Sequence, residues 1–386
     1  MLVVRLRGAL AALVVALVSF PAAAQFRLEP AFADQQSFGP GTAKGAVIWS
    51  HGRSTTSEDS LSPTPYYMSG LHDAGWDTFR LNRMRETDTL QESTRQLVRT
   101  VQDLRRRGYG KVVLAGQSFG AFISLMAADA SDDVHAVVAT APAAFGSFSD
   151  FYDSWRANAS RLYPLLESVR HARVMLFYFH GDDFDPGGRG DRSRAILSSH
   201  RVENLVIDQP PFLTGHWAAS TGLFVRRFGT CIRNFIEAAT VPPEADCETH
   251  WGQSPSAQIP LPAALASVPG TQGAASADTG AVSVPENSFL GKWYGFYSNG
   301  REVLLAVERI RGDEVTAVYA VGPGIEPGEK AEWVRRTGRL VDDELVFKEK
   351  GRHTLRYHLR SDGHMAALWI ASDGRTELDA VLRHTE

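Results

Sequence analysis

The residues best suited to chemistry in this sequence begin with a serine that stands between two glycines. In Gly116-Gln117-Ser118-Phe119-Gly120, the serine follows a run of strand-forming residues and precedes a small apolar series with helical spacing. Glycines lack a Cβ and let a strand and a helix approach closely, so a sharp turn could hold the Ser118 hydroxyl in a strained position above the sheet. The pattern G-x-S-x-G in this context predicts a nucleophile, although it also occurs by chance in ordinary strand–helix turns.

A catalytic serine requires a base, and the base requires a third group that orients it. Both should follow the serine along the chain, each after a later strand. His216, in the segment T-G-H-W, follows the predicted strand 204–207, and we predict it to be the base. The alternative is a loop histidine without a role. Three acidic residues in F-H-G-D-D-F-D-P are candidates for the third group: Asp182, Asp183 and Asp185. Such a turn also favours aspartate for local hydrogen bonds.

The negative charge that develops on a substrate oxygen would need amide donors. The amide of Phe119 is predicted to lie at a helix N-terminus directly after Ser118. The pair His51-Gly52 follows the predicted strand 46–49, so Gly52 or Arg53 could supply the second amide. We expect His51 itself to have a structural role.

The N-terminus has the features of an export signal. Arg5 and Arg7 precede the apolar run 9–20, and an A-x-A pattern ends at Ala24. We therefore predict a cleaved signal peptide at residues 1–24 and a periplasmic or secreted protein. The alternative, a membrane anchor, would need about 20 apolar residues. Cys231 and Cys247 are the two cysteines of the chain, and an exported chain predicts that they form a disulfide.

The pattern along the chain predicts two domains. Between residues 25 and 248, apolar strands alternate with helices, which predicts an α/β fold with a mostly parallel sheet covered on both faces. Residues 249–287 are rich in Ala, Ser, Pro and Gly and read as a linker. Residues 288–386 show short alternating strands, which predict a small antiparallel β-domain, either a barrel or a sandwich. The net charge of −4 gives no indication of nucleic-acid binding.

Residues 40–240 resemble the α/β-hydrolase superfamily, including serine esterases and dienelactone hydrolases. The resemblance rests on the segments H-G-R, G-Q-S-F-G, F-H-G-D-D-F-D-P and T-G-H-W. It implies an eight-stranded sheet and a Ser-acid-His triad. The first two strands of the family are hardly visible in the sequence, the H-G-G-G form of the oxyanion loop is absent, and the acid turn is one residue longer than usual. The segment 289–297, F-L-G-K-W-Y-G-F-Y, is faintly similar to the opening of lipocalin-like barrels.

The family's acid often stands just before a proline, so the resemblance favours Asp185, with Asp183 as the alternative and Asp182 last. The sequence thus predicts an exported serine hydrolase that acts on a small-molecule ester or acyl substrate without a cofactor or metal. Peptidase or thioesterase activity would use the same groups. The alternative from another class is a non-catalytic envelope binding protein. No integral membrane segment is expected after signal cleavage, and the sequence does not indicate an oligomeric state.

Overall fold

The computed structural model describes residues 26–53, 62–83, 88–146, 152–184, 188–247, 259–262, 286–324, 329–348 and 351–385. The predicted signal peptide and most of the predicted linker lie outside these residues.

The first domain is built around a sheet of seven strands, in the order β1-β3-β2-β4-β5-β6-β7. The strands are β1 (Arg27–Pro30), β2 (Ala46–Ser50), β3 (Asp77–Asn82), β4 (Val112–Gln117), β5 (Ala136–Thr140), β6 (Arg173–Tyr178) and β7 (Asn204–Asp208). The helices are α1 (Tyr67–Asp73), α2 (Leu90–Arg106), α3 (Phe119–Ala130), α4 (Tyr152–Ser168), α5 (Gly190–Ser199) and α6 (Gly222–Glu237).

Six of these strands run parallel, and β1 pairs antiparallel with β3 at one edge. The predicted mostly parallel sheet is therefore confirmed, and the two strands predicted at 46–49 and 204–207 are present as β2 and β7. The expected count of eight is not reached, because the described residues before β2 contribute only the four-residue strand β1. That strand is half exposed, which explains why its sequence carries little hydrophobic signal.

Apolar side chains cover both faces of the sheet. In β4, Val112 and Leu114 point into one core and Val113 and Ala115 into the other. Helices α2 to α5 contribute to the first core, and α1 and α6 pack over the opposite face. Because successive side chains of a strand alternate between faces, a strand buried on both faces reads as a continuous apolar run.

Cys231 in α6 and Cys247 form a disulfide, as the sequence predicts, with their Cα atoms 5.0 Å apart. The bond ties the last helix of the first domain to the short 3₁₀ turn Glu244–Cys247. Closing a loop of this length stabilises the folded chain by roughly 3 kcal/mol.

The second domain is a closed antiparallel barrel, which decides between the barrel and the sandwich that the sequence left open. Each strand pairs with its neighbour in the chain, and β15 closes the barrel against β8. The strands are β8 (Gly291–Tyr297), β9 (Glu302–Arg311), β10 (Glu314–Val321), β11 (Glu332–Val341), β12 (Glu344–Lys348), β13 (Thr354–Leu359), β14 (Met365–Ile370) and β15 (Glu377–Thr385). Its interior is filled by side chains such as Trp293, Leu305 and Tyr357. Among the described residues, no helix has the length and apolar character needed to span a bilayer.

Candidate active site

Ser118 lies in the tight turn between β4 and α3. Its φ of 56° and ψ of −121° fall outside the regions that a side-chain-bearing residue normally adopts. Close packing around the turn maintains this backbone conformation. A Cβ on Gly120 would lie 1.9 Å from the carbonyl oxygen of Ser50, and a Cβ on Gly116 would lie 2.4 Å from the carbonyl carbon of Gly120. The backbone N–H of Ser118 donates to Thr140 in the neighbouring strand, at 3.0 Å. The two glycines therefore serve the close approach for which the sequence analysis selected them.

The loops after β6 and β7 are paired by one parallel bridge. His180 and Thr214 form this bridge, and the N–H of Gly215 donates to the carbonyl oxygen of His180 at 2.8 Å. Two residues further along each segment stand Asp182 and His216. Nδ1 of His216 is 2.9 Å from both carboxylate oxygens of Asp182.

Among the described residues, the carboxylate that contacts His216 is that of Asp182, the aspartate that the sequence favoured least of the three. Asp185 lies outside the described residues, and Asp183 is half-buried beside Asp182. The bridge places Asp182 opposite His216 because it fixes the register of the two loops, and the predicted preference for Asp185 falls on a residue outside the described ranges. Asp182 is held further by the N–H of Phe184, which donates to its Oδ1 at 2.8 Å. The prediction of Asp185 used only its position before a proline in one loop. The pairing of that loop with the histidine loop is not visible in the sequence.

The serine turn, the acid and the histidine thus follow β4, β6 and β7 at the same edge of the sheet, in the chain order of the resemblance stated above. The first domain has the α/β-hydrolase fold.

The imidazole of His216 is enclosed in the hydrolase domain by neighbours that fix its plane. The ring of Phe184 lies over it with a centroid distance of 4.2 Å. The side-chain amide of Gln117 donates to the carbonyl oxygen of His216 at 3.1 Å, which ties the histidine loop to the residue before Ser118. The side chains of His216 and Asp182 are 8% and 0% exposed, so water does not compete for their contact.

Asn158 of α4 connects the surrounding loops. Its Oδ1 accepts from the N–H groups of Ala144 and Phe145 at 2.7 and 2.9 Å. Its Nδ2 donates to the carbonyl oxygens of Gly146 and Phe184 at 2.9 and 3.2 Å. The sequence gives no sign of this function, since Asn158 reads there only as the first residue of an N-x-S pattern. The structure makes it a buried link between the loop after β5 and the loop that carries Asp182 and Phe184.

Arg83, at the end of β3, holds the loop that follows β2. Its Nη2 donates to the carbonyl oxygens of His51 and Gly52 at 2.6 and 3.0 Å. The described part of the chain contains no cis peptide, and in a trans peptide the carbonyl and the next N–H point in opposite directions. The N–H groups of Gly52 and Arg53 therefore point away from Arg83. Nothing in the local sequence pattern separates Arg83 from a surface arginine, so its buried position could not be predicted.

Gly52 itself lies against the serine turn. A Cβ at this position would be 2.8 Å from Oε1 of Gln117 and 3.5 Å from Cβ of Ser118. The structure thus brings Gly52, Ser118 and Phe119 together, which are three of the residues that the sequence analysis selected. Phe119 is the first residue of α3, so its N–H has no carbonyl one turn earlier to pair with.

The charge of Arg83 is balanced inside the fold. Its Nε donates to Oδ1 of Asp88 at 3.0 Å, and Ser93 donates to the same oxygen at 2.6 Å. The side chains of Arg83 and Asp88 are 0% and 3% exposed. The guanidinium also stands 5.4 Å from the centre of the Phe119 ring. A buried pair of this kind fixes geometry, because either charge left alone in the interior is costly.

His51 is a structural residue of this loop, as the sequence analysis expected. Its Nδ1 is 2.7 Å from the carbonyl oxygen of Gly52, so this nitrogen carries the proton, and its Nε2 accepts from the N–H of Arg83 at 3.4 Å. Burial, together with the positive charges of Arg83 and Arg80, lowers the pKa of His51 from 6.5 to about 2. The imidazole therefore stays neutral wherever the protein is folded.

This lowered pKa predicts acid sensitivity of the fold. The unfolded chain takes up a proton at His51 near pH 6.5, whereas the folded chain does not until about pH 2. The contribution of His51 to the free energy of unfolding is therefore complete above pH 6.5 and falls below it, by up to about 1.4 kcal/mol per pH unit. In urea titrations at stepped pH from 7 to 4, the free energy of unfolding should fall less steeply with decreasing pH in His51→Asn than in the wild type. The difference between the two slopes should be up to about 1.4 kcal/mol per pH unit. Parallel curves for the two proteins would contradict the assignment.

Within the described ranges, no group of three His, Cys, Asp or Glu side chains is placed to hold a metal ion. Hydrogen bonds join His216 to Asp182 and to Gln117, the residue before Ser118, while the Ser118 hydroxyl lies 3.4 Å from the carbonyl oxygen of Ala143.

No protein-family model matches the sequence, and neither does any curated protein. Among solved structures, the chain is similar to the esterase Pf2001 of Pyrococcus furiosus (15% identity over 50% of this chain and 81% of that chain, TM-score 0.38). It is also similar to Est1E of Butyrivibrio proteoclasticus (15% identity, 50% of this chain and 88% of that chain, TM-score 0.38). A third similarity is to a metagenome-derived lipolytic enzyme (14% identity, 46% and 87%, TM-score 0.35). Residue roles and substrate therefore have to come from the geometry of this chain.

Proposed function

We propose that the protein is an exported serine hydrolase that cleaves carboxylic esters through an acyl-enzyme. Ser118 is the nucleophile, His216 the general base and Asp182 the carboxylate that orients it. The observation that carries the proposal is the buried contact of His216 Nδ1 with Asp182, beside a serine in a strained turn.

The contact determines which nitrogen of the imidazole can act. A carboxylate only accepts hydrogen bonds, so Nδ1 of His216 carries the proton and Nε2 keeps its lone pair. Nε2 takes the proton of the Ser118 hydroxyl as Oγ forms a bond to the substrate carbonyl carbon. Asp182 stabilises the imidazolium that results. The proton then passes from Nε2 to the leaving alkoxide as the ester C–O bond breaks.

Water completes the cycle by the same route. His216 takes a proton from water, the hydroxide oxygen bonds to the acyl carbon, and Ser118 leaves with the proton returned to its Oγ. In both steps a tetrahedral oxyanion forms. The N–H of Phe119 and an N–H of Gly52 or Arg53 are the donors that we assign to it, because Phe119 and Gly52 lie beside Ser118 and the N–H groups of Gly52 and Arg53 point away from Arg83.

The experiment is labelling with a fluorophosphonate probe, which bonds covalently to an activated serine. We expect stoichiometric labelling of the full-length protein and none in Ser118→Ala. A folded wild-type protein that does not react would refute the hydrolase and favour the non-catalytic envelope binding protein. Hydrolysis of thioesters or peptide amides in place of oxygen esters would keep the triad and change the substrate class.

Export is part of the proposal because the N-terminal sequence has a signal-peptide pattern and Cys231 is joined to Cys247. Such bonds persist in oxidising compartments. The mature protein, recovered from the periplasm or medium, should begin at Gln25, and an intact mass that retains residues 1–24 would contradict this.

A further inference from the structure

A cavity of about 530 Å³ lies where the hydrolase domain meets the barrel. One wall is formed by the chain around His216 and by the start of α6. The other is formed by the outer faces of β8 and β15 together with His364. Its volume falls in the range of small-molecule binding sites, about 300–1,000 Å³.

Trp217 connects this cavity to the serine site. It directly follows His216, and its ring lines the cavity. The same ring reaches the loop after β2, because its Cη2 is 3.8 Å from the place where a Cβ on Gly52 would stand. Thr214 and Leu213, before the Gly215-His216 pair, line the cavity as well. The segment that carries the catalytic base is therefore also a wall of the cavity.

The barrel side of the cavity is fixed by close packing between the domains. Gly222 at the start of α6 approaches the barrel backbone so closely that a Cβ there would lie 1.7 Å from the carbonyl oxygen of Tyr297. Leu223 packs against an apolar cluster on the outer face of the barrel that includes Tyr294 and Phe296. Tyr66 donates from its hydroxyl to the carbonyl oxygen of Glu377 at 3.2 Å. These contacts hold β8 and β15 in place next to the histidine loop.

The lining is apolar and unusually exposed. Phe212, Trp217 and Val381 are 51%, 56% and 48% exposed, and all three line the cavity. They are three of the seven large hydrophobic side chains that are exposed in the described part of the chain. Exposed apolar side chains that gather in one concave site mark a binding surface. Arg383 and Asp379 also line the cavity and carry opposite charges, so these two side chains give it no strong preference for a charged ligand.

We propose that this cavity receives the apolar acyl chain of the ester substrate, so that the barrel forms one wall of the substrate site. The inference rests on the proposed esterase function for its kinetic part. It assigns a substrate class, esters of medium-length aliphatic acids, and it gives the second domain a role in specificity. Each methylene that enters an apolar site improves binding by about 0.8 kcal/mol, which is about fourfold.

The kinetic test fills the cavity from the barrel side. Val381→Trp adds bulk at an exposed position whose side chain faces the cavity. Val341→Trp is the matched control, because Val341 is a similarly exposed barrel residue, 47%, that does not line the cavity. We expect the ratio of kcat/KM for 4-nitrophenyl octanoate over 4-nitrophenyl acetate to fall at least tenfold in Val381→Trp and to keep its wild-type value in Val341→Trp. Equal ratios in the two variants would overturn the proposal.

A binding test separates the cavity from catalysis. Octanoate is titrated calorimetrically into Ser118→Ala protein, alone and combined with Val381→Trp or Val341→Trp. We expect binding to weaken at least tenfold with Val381→Trp and not with Val341→Trp. The proposal that the cavity binds an acyl chain would be overturned if octanoate did not bind the Ser118→Ala protein, or if it bound both combined variants equally. A third outcome is that octanoate binding depends on Val381 while the wild-type protein neither hydrolyses esters nor reacts with fluorophosphonate. This result would refute the esterase function and still support the apolar binding site.

Discussion

Replacing Asp182 with asparagine is expected to lower kcat for ester hydrolysis by about 10⁴-fold while the protein stays folded. An asparagine oxygen can still accept from the N–H of Phe184, so the turn is preserved. Its NH₂ group, however, would donate to Nδ1 of His216 and leave the proton on Nε2, where the lone pair is needed. The measurement is kcat on 4-nitrophenyl acetate, with thermal unfolding to show that the fold is intact.

Asp183→Asn is the matched control, because it makes the same chemical change at the adjacent position. We expect it to keep kcat within a few-fold of the wild type. Asp185→Asn tests the acid that the sequence alone favoured. If either of these variants loses activity by orders of magnitude while Asp182→Asn stays near the wild type, the contact between Asp182 and His216 does not identify the acid.

Arg83→Lys is expected to lower kcat by about 10²–10³-fold with a much smaller change in KM. That loss is the typical cost of removing one oxyanion donor. The guanidinium of Arg83 binds two loop carbonyls through Nη2 and Asp88 through Nε. A single ammonium group keeps the charge beside Asp88 but does not reproduce this fork. The amides of Gly52 and Arg53 would then lose their fixed direction, which matters most when the oxyanion forms.

Arg80→Lys provides the control for this prediction. Arg80 lies on β3, three residues before Arg83; its guanidinium stands 5.5 Å from the centre of the Trp49 ring and its Nε donates to Oδ1 of Asn82 at 2.6 Å. We expect its kcat and KM to remain close to those of the wild type. A wild-type kcat in Arg83→Lys would show that the loop keeps its geometry without the fork.

The hydrolase part of the fold was predictable because its signals are local. A strand buried on both faces must be a continuous apolar run, and β2, β4 and β6 read as such runs in the sequence. The turn at Ser118 was predictable for a related reason. Two backbone segments that approach within contact distance require glycine, so Gly116 and Gly120 mark the place where they meet. Strand β1 escaped prediction because half-exposed edge residues carry no such pattern.

The contact between Asp182 and His216 and the contacts that hold the surrounding loops depended on the tertiary structure. Asp182, Asp183 and Asp185 are the same residue type within four positions, so only the bridge between His180 and Thr214 separates Asp182 from Asp183. Arg83 and Asn158 act through contacts with residues distant in the chain, which leave no local pattern. The position of the barrel against the first domain could not be predicted either, because the composition of a linker does not indicate where the next domain packs. By itself, the sequence determined the buried strands and the serine turn, because these follow from burial periodicity and backbone sterics. The tertiary structure decided which carboxylate meets the imidazole and which surfaces meet at the cavity, because both depend on registers between segments that the chain brings together only on folding.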